Sequence, residues 1–258
     1  MSTWSKVAAW ATTVFLGALV AGSGAMAREI TVVSTAGPMP IVMGALIPIF
    51  ERASGNKVAI KFEGVPQIYS QLREGASIDL VIADDDVIGD LVKRGDIADN
   101  FKIMLSRVDI AVRAGAPKPD IGTADALKAA LTAAKSIAYT QDASGRHLVT
   151  MISRLKLANT FVPKSIIVRD KPVAAAVAAG EAEIGVQQVA ELLAVPGIDI
   201  VGPLPGDMQK TIVYMAGVPV EAHGSEVAKA LVKFLTSAAA VTVLKQKGMA
   251  PPLAGAFF

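Results

Sequence analysis

Glu29-Ile30-Thr31-Val32-Val33-Ser34 is the stretch on which the fold turns. It is short, rich in β-branched residues and followed at 35–40 by a turn containing Gly37, Pro38 and Pro40. Such a run reads as a strand buried on both faces. Residues 41–54 then read as a helix in which Pro48 forces a kink or a second start, with Gly55-Asn56 as the stop. The same grammar repeats. Residues 57–62 form a strand with its turn at Glu63-Gly64-Val65-Pro66, and 67–74 a helix ended by Gly75. Residues 78–83 form a third strand and 85–94 a helix stopped by Gly95. Strands this apolar in βαβαβ order predict an α/β fold, with a mainly parallel sheet flanked by helices.

Further along, 103–113 reads as one longer strand, and Ala114-Gly115-Ala116-Pro117-Lys118-Pro119 is the strongest linker signal in the chain. Beyond it the pattern restarts. Thr123 is placed to cap a helix to 134, 136–140 is a strand, and Ser144 is placed to cap a helix to 156. Strands at 165–169, 183–187, 199–201 and 210–218 follow, with a helix at 172–179 and two closing helices at 225–236 and 239–247. Two α/β lobes are expected, the first discontinuous because the closing helices return to it. The expected bounds are 28–107 with 214–258 for lobe I, and 108–213 for lobe II, with a ligand cleft between them.

Residues 1–27 read as a cleaved export signal. Lys6 supplies the positive start, 7–22 the apolar stretch and Ala25-Met26-Ala27 a small-x-small cleavage site. The mature protein is therefore expected in the periplasm. The 25 Lys and Arg against 23 Asp and Glu leave a net charge of +2, without the basic excess of a nucleic-acid binder. With no cysteine, disulfides, thiolate metal sites and thiol nucleophiles are excluded. The only histidines are His147 and His223, too few for a His-rich metal site, so neither metal nor cofactor is expected. No G-x-S-x-G, P-loop, dinucleotide glycine fingerprint or H-E-x-x-H is present.

In an open parallel sheet, ligands bind beyond the carboxyl ends of the strands, where helix starts offer unpaired amides to an anion. Small, hydroxyl or amide residues fall at these points: Ser34, Thr35 and Gly37; Gly64 and Val65; Ser144 and Gly145; Gln187 and Gln188. The same residue types are also ordinary turn and cap residues. Arg107, inside an apolar strand, is either a bidentate holder of an oxyanion or an arginine on an exposed edge. Arg146 and His147 either line the cleft or form a solvated first turn. Asp84-Asp85-Asp86 precedes a helix and reads as an amide-capping start rather than a metal cluster. Carboxylates lining the cleft would count against an anion site.

Several segments together resemble the periplasmic solute-binding proteins of ABC importers, in the group that includes the molybdate-binding proteins. They are Ile30-Thr31-Val32-Val33 with Phe50-Glu51 and Gly55; Gln71-Leu72 with Gly75; Asp79-Leu80-Val81-Ile82-Ala83-Asp84; the strand around Arg107; the run 177–185; Tyr214; Phe234-Leu235; and Lys247-Gly248-Met249. The resemblance spans nearly the whole mature chain. It implies a two-lobed type 2 periplasmic-binding-protein fold with hinge crossings, a monomer that closes on a small anion and delivers it to a membrane ABC permease. In that group serine hydroxyls after strands one and two, and a later tyrosine, hold the oxyanion. Here the first loop is Ser34-Thr35-Ala36-Gly37-Pro38, the second lacks a hydroxyl, and Gln188 stands where the tyrosine would fall. The departures favour an organic polycarboxylate over molybdate. Relatives of the group include aconitate isomerase, which implies an alternative: a cofactor-free isomerase with His147 or Glu63 as the proton-abstracting base.

Overall fold

A computed structural model describes residues 28–252; the expected signal segment lies outside the described residues. The first strands and helices are β1 (Glu29–Thr35), α1 (Met39–Ser54), β2 (Lys57–Glu63), α2 (Val65–Arg73), β3 (Leu80–Asp84) and α3 (Asp85–Lys93). The chain continues through β4 (Ile97–Ser106), β5 (Val108–Arg113), α4 (Ala124–Ala133), β6 (Ile137–Tyr139), α5 (Ala143–Arg154), α6 (Ala158–Phe161) and β7 (Ser165–Ile167). It ends with α7 (Val173–Ala178), β8 (Ile184–Gln188), α8 (Val189–Leu193), β9 (Ile198–Pro203), β10 (Ile212–Pro219), α9 (Ser225–Leu235) and α10 (Ala238–Gln246).

These strands build two five-stranded sheets, ordered β2-β1-β3-β10-β4 and β7-β6-β8-β5-β9. In the first, β1 runs parallel to β2 and β3, and β10 antiparallel to β3 and β4. In the second, β6 runs parallel to β7 and β8, and β5 antiparallel to β8 and β9. Each sheet is thus mainly parallel, as expected, with a single strand, β10 or β5, running against the other four. The cause is the route of the chain: β5 and β10 each arrive directly from the other sheet, with no helical crossover to turn them parallel.

The long strand expected over 103–113 is two strands broken at Arg107, β4 in the first sheet and β5 in the second. Both pieces are buried, so nothing in the apolar pattern marks the break. The expected linker at 114–119 is instead a turn leaving β5, fixed by the Ala116 amide on the Arg113 carbonyl and the Gly115 amide on Asp199 Oδ2. A second crossing, 204–211, joins β9 to β10.

Helix α1 runs unbroken through Pro48 and buries Met39, Val42, Met43, Leu46, Ile47 and Phe50. Phe50 meets Phe234 of α9 at 5.7 Å between ring centroids, which ties the closing helices to the first half. Residue 250 completes the contact by pairing with Leu105 at the end of β4. Among the described residues, no single helix is long and apolar enough to cross a membrane.

Candidate ligand-binding cleft

Between the sheets lies a cavity of about 1060 Å³. The ends of the six strands that pair in parallel line it: Thr35 and Gly37 after β1, Glu63 to Pro66 after β2, Asp84 at the end of β3, Thr140 to Ala143 after β6, Val168 to Pro172 after β7, and Gln187 with Glu191 at β8. Tyr214 of β10 joins them. Carboxyl ends of parallel strands carry helix starts, so this is where backbone amides lacking intrahelical partners collect.

Two contacts bridge the cleft. Arg146 Nη2 of α5 donates to Asp84 Oδ2 at 3.0 Å. Gln188 Nε2, at the end of β8, donates to the Tyr214 hydroxyl at 3.0 Å, and that hydroxyl lies 3.2 Å from Gln188 Oε1. Gly37 fits beneath this second pair with φ of +60°; a Cβ there would stand 3.3 Å from Gln188 Nε2 and 3.4 Å from the Tyr214 oxygen. The turn needs glycine for its left-handed backbone and for the close approach. Burial pushes the Tyr214 hydroxyl well above its ordinary pKa of 10, so it stays a neutral donor.

Of the residues read from the sequence as ligand contacts or as candidate bases, Thr35, Gly37, Glu63, Gly64, Val65, Arg146 and Gln187 line the cleft. The others do not. Ser34 is fully buried and gives its hydroxyl to the Thr35 carbonyl at 3.0 Å. Ser144 is also fully buried and donates to Asp142 Oδ1 at 2.6 Å. The cap of α5 is therefore Asp142, which accepts the Ser144 and Gly145 amides, and not Ser144. Gly145 sits under the Thr140 carbonyl oxygen, where a Cβ would come within 1.5 Å. Gln188 stands behind the wall, engaged by Tyr214. Arg107 clasps Asp109 with two bonds of 2.8 and 3.2 Å and so serves the crossing rather than the cleft. The His147 ring donates from Nε2 to the Met208 carbonyl of the second crossing at 2.7 Å, and burial lowers its pKa below 6.5.

Sequence reading missed Thr140, Asp142, Arg169, Asp170, Lys171 and Glu191 in the wall. Arg169 to Lys171 follow β7 as Gly64 follows β2, so their position at a strand end is the signal that marks them. Asp84 does cap α3, through the Val87 amide, and also faces the cleft. Carboxyl oxygens of Asp84, Asp85 and Asp86 come within 4.8 Å of one another. Asp84 is already held by Arg146 and the helix amide, so the trio is a helix start.

Five carboxyls line the cleft, the arrangement counted above against an anion site, beside Arg146, Arg169 and Lys171. Their partners resolve the conflict. Asp84 is paired with Arg146, Asp142 is consumed by two amides and a hydroxyl, and Glu63 accepts from Gln71 Nε2. Asp170 lies exposed. Glu191 is 9% exposed, and desolvation, reinforced by the charge of Asp142, raises its pKa well above 4.5. Arg169 makes no ion pair among the described residues. The helix starts differ in a matching way: α1 and α2 have no side-chain cap, whereas α3 and α5 are capped by Asp84 and Asp142.

Residues 30–250 match the family model of the bacterial extracellular solute-binding proteins. The chain belongs to that family. It is 35% identical over 252 residues to an aconitate isomerase from a Pseudomonas species, covering 93% of this chain and 96% of that one. Among solved structures it is similar to a substrate binding domain assigned to a molybdenum ABC transporter of Clostridium difficile, with TM-score 0.72 and 18% identity over 88% of this chain and all of that one. The periplasmic molybdate-binding protein of Azotobacter vinelandii superposes with TM-score 0.67 and 18% identity, over 87% of this chain and all of that one. The fold is thus the two-sheet architecture of solute-binding proteins.

Proposed function

We propose that the protein captures a small organic polycarboxylate in this cleft, as a monomeric periplasmic binding component of an ABC importer. One observation carries the reading: the six strands that pair in parallel end around a single cavity, which sets the uncapped starts of α1 and α2 beside Arg146, Arg169 and Lys171. Amides and guanidinium groups on separate elements suit a ligand with several carboxylates. A volume of about 1060 Å³ matches the upper end of small-molecule sites, about 300–1,000 Å³, and exceeds what a four-oxygen ion fills. The turned-in Ser34 hydroxyl also removes one wall of an oxyanion cage. Bending at Arg107 and across 204–211 would let the two halves, acting as lobes, open and close.

Titration calorimetry with citrate, tricarballylate and cis- and trans-aconitate, against molybdate, tungstate and sulfate, tests the reading. Tricarboxylate binding weakened by Arg169→Gln is expected. Tight molybdate binding without tricarboxylate binding would overturn it.

A second reading is favoured by the 35% identity to aconitate isomerase and by a buried carboxyl in the wall with one oxygen unpartnered among the described residues. In it the same cleft moves the double bond of aconitate without a cofactor. Proton NMR of trans-aconitate incubated with the protein decides this: growth of the cis isomer supports it, and an unchanged spectrum rejects it.

A further inference from the structure

Glu191 is a buried acid for which the fold supplies only half a set of partners. Gln187 Nε2 donates to its Oε1 at 2.7 Å, while among the described residues Oε2 has no hydrogen-bond partner, and neither has Gln187 Oε1. No ion pair reaches the carboxyl among the described residues. A carboxyl held this way costs stability unless it serves a further purpose. The other buried acids of the wall are committed: Asp84 to Arg146, and Asp142 to the start of α5. The two bases named in the sequence are likewise engaged, His147 with Met208 outside the cleft and Glu63 with Gln71.

We propose that Glu191 is the group that carries the proton in a double-bond shift of a tricarboxylate bound in the cleft. The inference rests on the isomerase reading and names its catalytic residue. The Glu191 carboxylate takes a proton from the methylene carbon of aconitate, and the released C–H electron pair forms a double bond to the central carbon. The original double-bond pair moves to the far carbon, delocalised into the carboxylate there, and that carbon takes the proton back from Glu191. One C–H bond breaks and one forms, the O–H bond is made and broken, and no oxidant or co-reactant is needed. Arg146, Arg169 and the start of α2 face the charge that develops on the substrate carboxylates. Burial strengthens Glu191 as a base once it is ionised and keeps water from competing for the proton.

The charged surroundings are few. Asp142 approaches from the start of α5 and Tyr214 from β10. Across the ladder from Gln187 lies Asp109 of β5, paired with Arg107. Helix α7 brings no charged side chain, and α1 carries charge only at its far end, Glu51 and Arg52.

The test follows trans-aconitate in deuterium oxide by NMR, for wild type and Glu191→Gln, with tricarballylate binding measured on both. Wild type is expected to form the cis isomer with the transferred hydrogen mostly retained rather than replaced by solvent deuterium. In E191Q kcat should fall about 10²–10⁴-fold with tricarballylate affinity unchanged within about threefold. Should E191Q fail to fold, the wild-type profile of kcat against pH serves, expected to rise with pH as Glu191 ionises; a flat profile from pH 5 to 9 overturns the assignment. Active wild type with E191Q within threefold of it overturns the assignment alone. Wild type that binds tricarballylate but forms no cis isomer overturns the isomerase reading, and the assignment with it.

Discussion

The two halves share a strand order yet face the cleft with different chemistry. The first half offers backbone: the starts of α1 and α2, uncapped, at Gly37 and Gly64-Val65. The second offers side chains: Arg146, Arg169, Lys171, Gln187 and Glu191. Amides attract any anion with little discrimination, whereas guanidinium forks demand a particular arrangement of oxygens. On the function proposed above, general attraction falls to the first half and selectivity to the guanidinium groups of the second.

The same glycine-to-alanine change should separate the halves most strongly. Gly145→Ala sets a Cβ within 1.5 Å of the Thr140 carbonyl oxygen, a clash with backbone that cannot rotate away. We expect a loss of about 3 kcal/mol, read by urea unfolding. Gly37→Ala in the first half meets only side-chain atoms beyond 3 Å and should cost about 1–2 kcal/mol for its left-handed backbone. Equal losses would erase the contrast.

Tyr214→Phe removes the hydroxyl that joins the halves and strands the buried Gln188 amide. A loss of about 1–3 kcal/mol is expected in the same assay.

Acid and alkali should then act through different residues of the second half. Unfolded, Glu191 ionises near 4.5; folded, it keeps its proton to higher pH. The native state thus holds the extra proton, and stability falls as pH rises above about 4.5, by at most about 1.4 kcal/mol per pH unit. His147 works in the opposite sense. Its folded pKa lies below 6.5, so the unfolded chain binds the extra proton and stability falls as pH drops through 6.5. Thermal melts of E191Q from pH 5 to 9 should show a flatter alkaline limb with the acid limb unchanged; identical limbs would mean that Glu191 is ionised in the fold.

Arg169→Gln should have the smallest effect on stability, within about 0.5 kcal/mol, because the side chain is exposed and makes no ion pair among the described residues. Tricarboxylate affinity should still fall about tenfold, near the 1.5–3 kcal/mol of a charged hydrogen bond. Unchanged affinity would move selectivity elsewhere in the wall.

Local pattern made the α/β class legible, because Ile30, Val32 and Val33, and Leu80 to Ala83, are apolar on both faces. The chain's passage between sheets was not legible. Val108, Ile110 and Val112 are as buried as Ile103 and Met104, so composition is blind to the sheet change at Arg107. In the site, residues at strand ends were found by a rule about backbone, which is how Thr35, Gly37, Gly64 and Gln187 were reached. Glu191 escaped it because it sits in the first turn of α8, beyond the strand end, and is marked only by lacking a partner. Ser34 and Ser144 carried the expected residue type, but their hydroxyls turn back onto their own loops. Side-chain direction of that kind is a tertiary outcome.

The repeated strand order, with one strand in each sheet running against the other four, has a consequence for descent. Gln141 after β6, and Arg169, Asp170 and Lys171 after β7, stand exposed outside the packed interior, so exchanging them leaves the frame intact. A lineage is free to change what the cleft recognises by altering those two loops alone, keeping the grip on charge from the opposite side.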